Sequence, residues 1–161
     1  EFKDDRYYYS FDYGPCHFIV LDCGEDKPDN NRYYYGLADW DTYRLSELEW
    51  LKEEVLSVPF KRAKYRIVMV HMPILKAENQ NHAMTFLSEN FGPLFQEAGI
   101  DLMISAHIHR NVFYEKGKTG FGYPLLVNSN NSFIEVNADN QSIKAVVKDV
   151  SGKIIAEYEI K

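Results

Sequence analysis

Positive charge is scarce in this 161-residue sequence: 18 Lys and Arg stand against 24 Asp and Glu, for a net charge of −6. No basic stripe is available to neutralise a phosphate backbone, which excludes a nucleic-acid-binding surface. Long apolar runs are also missing. The longest, such as Ile67-Val68-Met69-Val70, have strand length, so no membrane span is expected. Cysteine is nearly absent. Cys16 and Cys23 lie in what reads as one strand, and an extended chain puts their Cα atoms roughly 23 Å apart, against the ~7 Å limit for a disulfide. Two separate free thiols are expected, and the redox compartment stays open. There is no repeat, low-complexity tract, linker or signal-peptide pattern. The chain opens at Glu1 rather than Met, which favours a piece of a longer polypeptide.

What is present is a core. The composition is 45% hydrophobic and 15% aromatic, which excludes disorder and supports a single domain over residues 1–161. The section Tyr7–Asp22 reads as a hairpin turning at Gly14-Pro15. A polar loop runs from Glu25 to Arg32. A helix is then expected to start at Ser46, with Glu49 completing a capping box, and to bury Leu48, Leu51 and Val55. Tyr65–Val70 is a continuous apolar strand of the kind covered on both faces. A helical region spans about 83–98, with a break expected near Gly92-Pro93. Ile100–Ser105 forms a second buried strand. From Val112 onward only short strands are expected, turning at Asp139-Asn140 and Ser151-Gly152. The class is α/β: a mixed sheet ending in a β-meander.

Three histidines occupy chemically meaningful places. His71 follows one buried strand; His107 and His109 follow the other. Sites in open α/β sheets form beyond the carboxyl ends of strands, so the three imidazoles are candidates to converge. In extended chain His107 and His109 project to one side. Such a set suits borderline transition metals such as Zn, Fe or Mn. A bland alternative exists for each, since a strand-end His is usually a hydrogen-bonded loop residue. His17, beside Cys16, reads as structural.

Val70-His71-Met72-Pro73 followed by Ser105-Ala106-His107-Ile108-His109-Arg110 resembles the last two motifs of the calcineurin-like metallophosphoesterases, His-x-Pro and Gly-His-x-His. Tyr9–Gly14, Phe18–Asp22 and Glu49-Trp50-Leu51 are similar to purple acid phosphatase-like members. The resemblance covers nearly the whole chain but only the C-terminal half of that family's catalytic αββα sandwich. It implies that His71 and His107 ligate one metal of a dinuclear pair (Fe, Zn or Mn) and His109 the other. The implied reaction is hydrolysis of a phosphoester by metal-activated water. In purple acid phosphatase-like enzymes a His nine or ten residues after His-x-Pro protonates the leaving group. Gln80 and Asn81 hold those offsets here, and His82 follows. Imidazole, titrating at about pH 6.5, suits general acid work. Arg110 is a candidate phosphate contact.

Two departures matter. Ala106 replaces the usual Gly, tolerable only if its φ is negative. The family's earlier motifs, Asp-x-His, Gly-Asp-x-x-Asp and Gly-Asn-His-Asp/Glu, do not occur, so the bridging carboxylate must come from an N-terminal half. The isolated chain is therefore expected to be inactive and, with an uncovered sheet, to self-associate. The resemblance further implies an exported or periplasmic parent. Alternative readings are a degenerate, non-catalytic interaction module and a mononuclear Zn hydrolase built on His71, His107 and His109.

Overall fold

Alternation along the apolar strands decides the layering. In the computed structural model, which describes residues 6–161, Val68 and Val70 face one core while Tyr65 and Ile67 face another. The expectation drawn from Glu1 lies outside the described residues. Strands β1 (Tyr9–Tyr13) and β2 (Cys16–Val20) form the expected hairpin, Tyr9 opposite Val20. With β3 (Tyr65–Met69), β4 (Leu102–Ser105), β5 (Val112–Tyr114) and β6 (Leu125–Val127) they build a six-stranded sheet in the order β1-β2-β3-β4-β6-β5. Its four inner strands run parallel and its two outer pairs antiparallel. Strands β7 (Ser132–Ala138), β8 (Ile143–Asp149) and β9 (Ile154–Glu159) form a separate antiparallel meander. The mixed α/β class and its closing meander are as expected.

One face of the large sheet is covered by helices α1 (Trp40–Glu54) and α3 (His82–Ala98), through Leu48, Leu51, Leu87, Phe91 and Phe95. The other face meets the meander, where Ile143, Ala145 and Val147 of β8 pack on Cys16, Tyr65, Ile67 and Leu102. Each fully buried Leu or Phe contributes on the order of 2–3 kcal/mol. A short α2 (Val58–Arg62), capped by the Ser57 hydroxyl, leads into β3 and is not evident from the apolar pattern.

Three local expectations need correction. Helix α1 begins at Trp40, six residues before Ser46. Its cap comes from outside the helix: the Asp29 carboxylate accepts from Trp40 N at 2.8 Å and Asp41 N at 3.0 Å. Ser46 lies mid-helix, its hydroxyl donating to Thr42 O at 3.1 Å. Helix α3 runs unbroken through Gly92-Pro93. Pro93 is exposed, as is Glu89, whose carbonyl it leaves without its helical donor, while the tip of the Phe121 ring points at Gly92. Finally, β2 ends at Val20, so Cys23 lies beyond it, in the helix-side core. Both cysteines are free and buried.

His17 is structural, as expected. It is 2% exposed, with Nδ1 2.7 Å from Asp12 Oδ1 and Nε2 3.1 Å from Glu54 Oε1.

Candidate functional site

Main-chain bonds beyond the strands bring the carboxyl ends of β2, β3 and β4 side by side. Leu21 N donates to Met69 O (2.9 Å), Val70 N to Ile104 O (3.1 Å), and Ala106 N to His71 O (3.0 Å). The last bond fastens the His71 segment to the segment carrying His107. Their rings meet edge to face, centroids 5.2 Å apart, with His71 Nε2 3.4 Å from His107 Nδ1.

The segment after β4 is not extended. His107 and His109 both have left-handed backbone, φ +67° and +55°. For non-glycine residues that conformation costs of order 1 kcal/mol or more each, and it is the kind of strain that collects at functional sites. Ala106 avoids it: its φ is not in the left-handed region, so the extra Cβ is accommodated. The turn also changes what converges. His71 and His107 touch, but no hydrogen bond or ring contact joins His109 to either, and it acts on His71 only through its charge. Burial first, then the charges of His107 and His109, hold His71 below the ordinary imidazole range. The shift favours the neutral ring, which carries a free lone pair.

The pair fits a shared cation. Two imidazole nitrogens at about 2.0–2.1 Å from a tetrahedral ion stand roughly 3.3–3.4 Å apart, the separation seen. It is only part of a coordination set, because among the described residues no group of three or more His, Cys, Asp or Glu side chains is arranged to hold an ion. The mononuclear alternative needed His109 beside the pair and lacks that support.

A network joining the loop after β2 to α1 is organised by a residue that the sequence reading passed over. Arg44 of α1 is fully buried. It donates from Nε to Cys23 O (3.0 Å), from Nη2 to Glu25 O, and from Nη1 to Asp41 Oδ1 (2.9 Å). The loop after β2 is thereby wrapped over α1, with Gly24 in left-handed backbone against the Trp40 ring. The loop carries Asp26, whose carboxyl is held low chiefly by Lys27 and, more weakly, by the charge of His107. Asp26 O also accepts from Ala83 N at 3.4 Å, and Asn81, which caps α3, reaches Met72 Sδ at 3.9 Å. So the start of α3, which His82 opens, is tied to Met72, the residue after His71, and to the loop that carries Asp26. His82 Nε2 lies 2.7 Å from Asp41 Oδ1. Arg110 is exposed and bonds neither imidazole of the pair.

Beneath Asp22, two residues past the end of β2, lies Glu47. Its Oε1 accepts from Asp22 N at 2.8 Å while its Oε2 has no partner, and burial pushes its carboxyl up to about 8. A signal for both residues was present. Arg44, Glu47, Leu48 and Leu51 follow the three-and-four spacing of a single helical stripe.

A family model for calcineurin-like phosphoesterases matches residues 4–111. Acid phosphatase A of Cryphonectria parasitica is 26% identical over 109 residues, covering 65% of this chain and 22% of that protein. An acid phosphatase of Aspergillus ficuum is 22% identical over 182 residues, covering 96% and 29%. The chain thus spans less than a third of the length of these curated relatives. Among solved structures, a purple acid phosphatase from yellow lupin seeds matches with TM-score 0.64 at 16% identity, over 96% of this chain and 32% of that one. The anchor protein of the Plasmodium inner membrane complex matches with TM-score 0.56 at 17% identity, over 96% and 53%. Both likenesses are of fold.

Proposed function

The chain belongs to the calcineurin-like phosphoesterase family, and from that premise we propose that it is the C-terminal, histidine-bearing portion of a metal-dependent phosphomonoesterase. The observation that carries the reading is the His71–His107 pair, two imidazoles 3.4 Å apart on adjacent strand ends. In this reading they ligate one ion, and His109, one turn on, serves a second. When bound, a dinuclear centre of Fe, Zn or Mn supplies a water of lowered pKa and neutralises charge on the phosphate. The chain's own residues do the rest. His71 stays unprotonated, Arg110 meets a phosphate oxygen, and His82 gives a proton to the departing oxygen. The bridging carboxylates come from polypeptide outside these 161 residues, and the parent is exported.

A groove supports completion by further chain. Beside the meander the sheet is left partly open. Phe18 and Val20 of β2, Met69 of β3 and Ile104 of β4 line a trough of about 540 Å³ with Ile134 and Val136 of β7. Strand β7 is an edge strand beside that trough.

Two measurements test the reading. Zn²⁺ is expected to raise the unfolding midpoint of this chain by mass action, and His71→Ala or His107→Ala to abolish the rise. The full-length polypeptide is expected to hydrolyse a phosphomonoester and lose that activity with His107→Ala, while the 161-residue chain shows no turnover above its own His107→Ala control. Absence of both the metal response and the full-length activity would sink the proposal.

A further inference from the structure

We propose that Asp41, locked in place by the buried Arg44, is the positioning residue for His82, holding its imidazole so that Nδ1 delivers the proton to the leaving group. The inference rests on the phosphoesterase reading above and adds to it a residue on α1, outside every motif that carries the family resemblance.

The argument begins with how little freedom Asp41 has. Its Oδ1 receives both Arg44 Nη1 at 2.9 Å and His82 Nε2 at 2.7 Å. Arg44 cannot move to another acid: its remaining donors are bound to Cys23 O and Glu25 O, and Asp41 is its one carboxylate partner among the described residues. Asp41 N is fixed in turn by the Asp29 carboxylate at 3.0 Å. Burial alone would raise the Asp41 carboxyl, yet the bond from His82, the Asp29 amide and the charges of His82 and Arg44 together hold it below the ordinary range. It therefore stays anionic, and its place in the first turn of α1 favours that charge.

His82 has the complementary situation. It is the first residue of α3, where the helix dipole disfavours a cation. Asp41 supplies the opposing charge from a second helix. With Nε2 committed to Asp41, the other nitrogen is defined: no described residue bonds Nδ1. The groups facing this pair are Arg44 and Asp29 from the α1 side and Asp26 from the loop, whose carbonyl holds Ala83 N and whose carboxyl feels His107.

The proton step balances without any further reagent. His82 enters as imidazolium, Nε2–H on Asp41 and Nδ1–H toward the departing oxygen. As the bond from phosphorus to that oxygen breaks, the Nδ1 proton moves onto it and the alcohol leaves. His82 remains as the neutral Nε2–H tautomer, which Asp41 favours. The water that adds to phosphorus releases a proton, and Nδ1 is recharged from it.

An exposed His–Asp bond can also be a simple staple between helices, worth little. Leaving groups separate the two roles. In the full-length enzyme, Asp41→Asn and His82→Gln are each expected to slow kcat for an alkyl phosphate by roughly 30-fold or more, within the range of general acid catalysis. For 4-nitrophenyl phosphate, whose leaving group needs no proton, each should lose less than about 3-fold. Asp41→Asn should add nothing further on the alkyl ester once His82→Gln is present, because the residue acts through His82. Unfolding midpoints of the variants exclude misfolding. In this chain, ¹⁵N–¹H correlation on His82 should report the Nε2–H tautomer in the wild type and a mixture of tautomers in the Asp41→Asn variant, which lacks the carboxylate charge. Equal losses on both esters, or an additive double variant, overturn the inference and leave the phosphoesterase reading standing. Full-length wild type inert toward both esters removes that reading and the inference together.

Discussion

Replacing Glu47 by Gln is expected to stabilise the fold at neutral pH, and by an amount that grows with pH. The carboxyl is fully buried, with one oxygen on Asp22 N and the other without a partner, and burial pushes it from an ordinary 4.5 up to about 8 in the fold. The folded state thus holds a proton that the unfolded chain releases above about pH 4.5. The stabilisation from that proton is complete below the unfolded value and is lost as pH rises to about 8. At about 1.4 kcal/mol per pH unit the whole span is worth about 5 kcal/mol. Gln keeps the shape and the bond to Asp22 N, but it has no proton to lose. Between about pH 5.5 and 7.5 the variant should therefore gain about 3 kcal/mol on the wild type, or roughly 6–12 °C in unfolding midpoint. The assay is thermal unfolding of both proteins across that window. His71, whose depressed titration acts in the opposite sense, is common to both and cancels in the difference. Parallel curves would show that Glu47 is already ionised in the fold and would refute the reasoning.

Two further outcomes are expected. Gly92→Ala would set a Cβ 2.2 Å from Phe121 Cζ, so despite better helix propensity it should lower stability by about 1–3 kcal/mol, read as a fall in unfolding midpoint. The uncovered trough beside β7 should make the isolated chain self-associate, and Met69→Glu, at a residue 37% exposed there, should shift light-scattering mass toward the monomer; a monodisperse wild-type monomer would count against this.

Legibility followed the range of the interactions. Strands whose identity is written in consecutive apolar or alternating residues, such as Tyr65–Met69 and the meander, were readable because their burial pattern is local. The start of α1 was not, because its cap is Asp29, which reaches Trp40 and Asp41 from eleven and twelve positions upstream. At Gly92-Pro93 the close neighbour is Phe121, which packs on the helix from a distant loop and leaves no local mark in the sequence. The meeting of His71 and His107 was legible from their places at the ends of neighbouring strands. That His109 makes no bond or ring contact with the pair was not legible, since period-two reasoning takes as extended a segment whose backbone is left-handed at His107 and His109. Arg44 and Glu47 were masked by their charge, although their spacing marked the inward stripe of α1.

The bond from Ala106 N to His71 O has a consequence for what this strand-end arrangement can become. It is made by main-chain atoms, as are the neighbouring bonds from Leu21 and Val70, so the distance between positions 71 and 107 belongs to the backbone and does not depend on the side chains there. Exchanging either imidazole for a carboxylate or a thiolate would change the hardness and the reach of the group presented there while leaving the main-chain spacing as it is. On the proposed reading, the fold would work as a socket with interchangeable pins, its backbone keeping the spacing while single substitutions change what is presented there.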